Sequence, residues 1–180
     1  MLDPDLGWLI IGAMSLLLFT AAWHKWRAPR EFELNLGAYQ VLPARTVPAL
    51  SRVIPALEAV VAAALLLPAT RSAAAWGGVA LLLLYAGGIA VNLRRGRTDV
   101  DCGCAGPGER RPIASWMVAR NLLLAAALIG ASFGWTSRPA GIVDSLSVGA
   151  ALVVVSLLYA SMERLLGQIA PRASLGRRPS

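Results

Sequence analysis

Between Arg71 and Arg94 the chain reads SAAAWGGVALLLLYAGGIAVNL (72–93), without one charged side chain, and stops at Arg94, Arg95, Gly96 and Arg97. A bilayer core about 30 Å thick needs about 20 apolar residues of helix. This stretch is long enough to cross one, and its basic stop is what a membrane edge requires. The same punctuation recurs outward along the chain. Leu6 to Trp23 is apolar until His24 and Lys25, and a second run extends from Leu50 to Pro68, broken only by Arg52 and Glu58. Ile113 to Trp135 and Ser145 to Met162 give two more. The reading is an all-α, multi-pass transmembrane helix bundle of about five spans, near 6–23, 50–68, 72–93, 113–135 and 145–162.

Composition agrees. The 180 residues are 57% hydrophobic and only 15% charged, with mean hydropathy +0.61, against roughly 25% charged in soluble domains. A water-soluble enzyme is not expected, and the length leaves no room for a catalytic domain beside a membrane part. We expect one integral membrane domain over 1–166 and a disordered basic tail over 167–180. The net charge of +7 is scattered between apolar runs, so it marks membrane edges and forms no nucleic-acid face. The acidic start Asp3, Pro4, Asp5 does not fit a cleaved signal, so the first span is read as retained.

Alternating spans put most basic residues, among them Lys25, Arg27, Arg30, Arg94, Arg95, Arg97, Arg110 and Arg111, on one side, and Arg71 and Arg138 on the other. The positive-inside rule assigns the richer side to the cytoplasm. That side also carries the loop with both cysteines of the chain, Cys102 and Cys104.

A disulfide stabilises a fold by closing a loop in the unfolded chain, and the gain grows with loop length. Bridging residues i and i+2 gives almost none, so Cys102 and Cys104 are poorly placed as a structural staple. Gly103 supplies the backbone freedom that such a tight bridge needs, and a bridge of this kind is easily reduced. The pair is therefore read as redox-active, with one attacking and one resolving thiol. Two other readings stay open: a two-thiolate site for copper or zinc, with His24 as the single histidine available, and a scaffolding subunit without turnover.

Polar groups sit in or beside the spans at the cysteine end: His24, Lys25, Glu58, Asn92, Arg95, Arg120 and Asn121. Intramembrane polar groups face a bundle interior and pair with one another. Glu58 is expected to pair with Arg120, Lys25 or His24. As helix glue the cluster needs no ligand; as a functional site it would handle the protons that thiol oxidation releases, or hold the head of a quinone, the single cofactor these residues leave open.

These residues carry a resemblance. Asn92 to Arg97 leading into Asp101, Cys102, Gly103 and Cys104, then Ile113 to Trp116 and Arg120 to Leu122, resemble the methylamine utilisation protein MauE family of the DoxX-like membrane redox group. His24, Lys25, Phe32, Ala38, Tyr39, Leu42, Pro43 and Pro55 to Glu58 are similar to its first loop and second helix, and the likeness runs from about Trp8 to Trp135. Ala105 stands where relatives commonly carry Phe. The resemblance implies a four-helix DoxX-like core plus a C-terminal helix, in a bacterial cytoplasmic (inner) membrane. It implies a maturation factor, or a thiol-disulfide oxidoreductase, acting with a thioredoxin-like partner of the MauD type. The client would be a secreted, disulfide-rich protein such as the small subunit of methylamine dehydrogenase. That client folds in the periplasm, whereas the charge count puts the cysteine loop inside, so the side of the loop stays open.

Overall fold

The computed structural model describes residues 3–102, 112–133 and 141–169. Among them the chain is all-helical: α1 (Pro4–Arg27), α2 (Pro29–Ala38), a 3₁₀ turn (Ala44–Thr46), α3 (Val47–Leu66), α4 (Arg71–Arg94), α5 (Ser115–Ser132) and α6 (Ile142–Ile169). All but α2 and the turn are long and apolar enough to cross a membrane, which gives the five expected spans.

Local chemistry sets the ends. Pro4 and Pro29 open α1 and α2 at positions where a missing N–H costs nothing. Asp3 caps α1 by accepting from the Asp5 N–H. At the end of α4 the N–H groups of Gly96 and Arg97 donate back to the carbonyls of Leu93 and Asn92. This is a Schellman stop, and Gly96 at φ 72° is the residue that permits it. The fourth span begins at Ser115 and not at Ile113, because Ile113 donates its N–H to Val100 and Pro112 bridges to Asp101. The fifth runs to Ile169, so residues 167–169, expected in the tail, continue the helix. Residues 170–180 of that tail lie outside the described residues.

The core is built where α1, α3, α4 and α5 meet, with Ile11, Leu18, Leu65, Leu82 and Leu128 fully buried. Close approach of α4 and α5 depends on Gly78, where a Cβ would stand 2.7 Å from Leu128 Cδ2. Ser15 Oγ donates to the Ala62 carbonyl, tying α1 to α3. Helix α6 packs on α1, with Leu152 against Gly12.

The outside is as apolar as the inside. Leu84 and Leu123 are each 71% exposed and Val60 64%, an arrangement that water penalises and lipid does not. At the end remote from the cysteines, the Arg71 guanidinium lies 4.1 Å from the Trp8 ring centre, a pairing suited to a membrane interface.

The first loop, to which the sequence reading assigns no element, contains α2. This short helix packs on α3 and buries Phe32 while leaving Leu34 exposed.

Candidate functional site

Lys25, in the last turn of α1, and Glu58, midway along α3, meet in the interior. The Lys25 ammonium donates to both carboxylate oxygens of Glu58, at 2.6 and 2.8 Å. Lys25 is 3% exposed and Glu58 0%, so neither charge is solvated by water or lipid. Two charges cost several kcal/mol each to bury, and geometry of this quality is what makes the burial tolerable. Tyr85 of α4 adds a short hydrogen bond from its hydroxyl to Glu58 Oε1. The rings of Phe32 and Tyr85 lie 5.2 and 5.3 Å from the ammonium and complete its shell. Of the three partners that sequence left open for Glu58, the fold selects Lys25. Tyr85 was missed; a lone phenol in the run LLLLYAGG is the signal, since a buried hydroxyl seeks a polar partner.

The other candidates fall into two groups. Asn92, fully buried, donates to the Gly88 carbonyl at 3.1 Å and accepts from Arg97 at 3.4 Å. Arg95 and Arg97 donate to the carbonyl and side-chain oxygens of Gln40 at 3.1 and 3.0 Å. These residues fasten the exit of α4 to the first loop.

His24, Glu58, Tyr85, Arg120 and Asn121 instead line one cavity of about 470 Å³ between α1, α5 and α6. Arg120 donates to Asn121 Oδ1 at 3.3 Å, and its guanidinium lies 5.6 Å from the Trp116 ring centre. Tyr159 and Arg164 of α6 join the same cavity; neither was among the candidates read from the sequence.

Cys102 is half-buried beside the small cluster Ile89, Val100, Ile113 and Met117, against which Trp116 also packs. The Asp101–Pro112 bridge closes the neck of the loop just beyond it. Cys104 lies outside the described residues. Among the described residues no three His, Cys, Asp or Glu side chains converge as metal ligands.

Long apolar helices that enclose an ion pair and gather polar side chains at one end define a multi-pass integral membrane protein. Comparison narrows this class. The family described as Methylamine utilisation protein MauE matches residues 4–136. A relative of that name from Paracoccus denitrificans is 34% identical, with 98% of each chain covered. Another, from Paracoccus versutus, is 37% identical over 92% of this chain and 89% of its own, and one from Methylophilus methylotrophus is 34% identical over 92% and 88%. The chain belongs to the MauE family. No solved structure matches it.

Proposed function

We propose that the protein is a thiol-disulfide redox protein of the bacterial inner membrane, in which Cys102 and Cys104 cycle between dithiol and disulfide during maturation of a secreted partner. The relatives are named for methylamine utilisation, and the client proposed here is the small subunit of methylamine dehydrogenase. Electrons pass to or from a thioredoxin-like protein of the MauD type, or a quinone.

The observation that carries the reading is the spacing of the two cysteines next to a fixed neck. Cys102, Gly103 and Cys104 are consecutive, so a bridge between the sulfurs adds almost no loop-closure stability. The loop neck is nonetheless fixed by Asp101, Pro112 and the Ile113–Val100 hydrogen bond, and its base rests on the apolar cluster between α4 and α5. A reactive pair benefits from such a mount, because exchange requires the sulfur to be presented at one place.

The test is replacement of each cysteine by serine in cells that depend on the client. Either Cys102→Ser or Cys104→Ser should abolish client maturation at unchanged abundance of the membrane protein. Maturation retained in both single variants would overturn the proposal.

A further inference from the structure

We infer that the cavity beside α1 is a binding site for a membrane quinone, its ring held at the polar end by Asn121 and His24 and its isoprenoid tail lying along the apolar remainder. The inference rests on the redox reading above and gives it a two-electron acceptor.

Shape comes first. The cavity begins beyond the Gly12–Leu152 contact and follows α1 from Ala13 to His24, roughly 16 Å at ~1.5 Å per residue. Its volume of about 470 Å³ lies within the roughly 300–1,000 Å³ of small-molecule sites. Its charged and amide groups gather at the cysteine end; Met14, Leu17 and Leu124 line the apolar part. Leu16 of α1 and Val155 of α6, both on its wall, are 45% and 40% exposed; the ligand is proposed to enter from the bilayer between these two helices.

The polar end is unfinished. Asn121 is 2% exposed, and while its Oδ1 accepts from Arg120, its Nδ2 has no partner among the described residues. His24 Nδ1 is likewise buried and without a partner among them. A buried donor left unmade costs about 1–3 kcal/mol, so the site is built for a group that arrives from outside the chain. The amide N–H₂ requires an acceptor, and a ring carbonyl on a flat apolar ligand is one. A phospholipid phosphate, a multiply accepting anion on two acyl chains, is the competing occupant, since Arg120 and Arg164 also line the cavity, and the test below separates the two.

The cavity and Cys102 are linked through α5. Trp116 and Arg120 are four residues apart on one face of that helix; Trp116 and Cys102 pack against the same cluster of Ile89, Val100, Ile113 and Met117, and the Trp116 ring centre lies 5.6 Å from the guanidinium of Arg120, which lines the cavity. In the exchange, the thiols of Cys102 and Cys104 give up two electrons and two protons and form an S–S bond. The quinone accepts both electrons and both protons and becomes the quinol, and His24 stands at the polar end as a proton carrier.

The test uses the full chain purified in detergent, titrated with decylubiquinone and read by quenching of tryptophan emission. Saturable binding is expected, with Kd raised at least about fivefold by Asn121→Leu, equivalent to about 1 kcal/mol for one lost hydrogen bond. Ala21→Phe, which fills the cavity while leaving its polar end intact, should abolish binding, and thermal melts check that both variants fold. Wild-type affinity in both variants, or a co-purified phosphatidylglycerol that decylubiquinone fails to displace, would overturn the site. Cys102→Ser should bind as wild type, and the reduced wild-type protein should form one quinol per chain under anaerobic conditions. Binding without quinol formation would support the site and sink the redox reading. Cysteine cycling with a thioredoxin-like protein but no quinone binding would do the reverse.

Discussion

Lys25 and Glu58 form a bidentate ion pair, Nζ to Oε1 and Oε2 at 2.6 and 2.8 Å, between the end of α1 and the middle of α3. Removing one partner leaves the other charge buried, so Glu58→Gln should cost about 3–5 kcal/mol of stability in denaturant unfolding. The paired replacement Lys25→Met with Glu58→Leu should recover most of it. A double variant as unstable as the single one would mean that the pair contributes more than mutual neutralisation.

Tyr85 donates to the same carboxylate. Tyr85→Phe preserves the ring that faces Lys25 and removes only the hydroxyl, and a hydrogen bond to a charged group contributes about 1.5–3 kcal/mol. A loss in that range is expected from the same unfolding measurement. No change would show the bond to be dispensable.

Gly78 sets the distance between α4 and α5. A Cβ there would stand 2.7 Å from Leu128 Cδ2, and Leu128 is fully buried. Gly78→Val should therefore destabilise by about 1–3 kcal/mol through overpacking, and adding Leu128→Ala should return part of it. Unchanged thermal melting of Gly78→Val would contradict the close approach.

The charge count puts the cysteine loop inside, whereas direct exchange with a secreted client needs it outside. Once reduced, Cys102 and Cys104 should react with a membrane-impermeant thiol reagent in intact cells if the exchange with the client is direct, and only after disruption if the charge count holds. Labelling in intact cells would contradict the charge reading and place the pair on the side where a secreted client folds.

The spans were legible because charge punctuates them: Arg71 and the Arg94–Arg97 cluster bound α4 to the residue. Helix α2 was not, because PREFELNLGA is short and half polar; its fold follows from Pro29 at the first helical position and from Phe32 finding the ammonium of Lys25. Glu58 was visible as a buried carboxylate, but its partner was not. His24, Lys25 and Arg120 all lie at the same end, and only the packing register of α1 on α3 chooses among them. The cavity was hidden for the same reason, since α6 supplies Tyr159 and Arg164 from a distant part of the chain.

The most direct measurement is thiol trapping in cells. Cys102→Ser and Cys104→Ser are each expressed, the cells are quenched in acid, and mixed disulfides are resolved on non-reducing gels. The account predicts that one of the two variants accumulates a covalent complex with a thioredoxin-like protein or the client, released by reductant. No adduct in either variant, with both sulfurs of the wild type unchanged by oxidant and reductant, would contradict it.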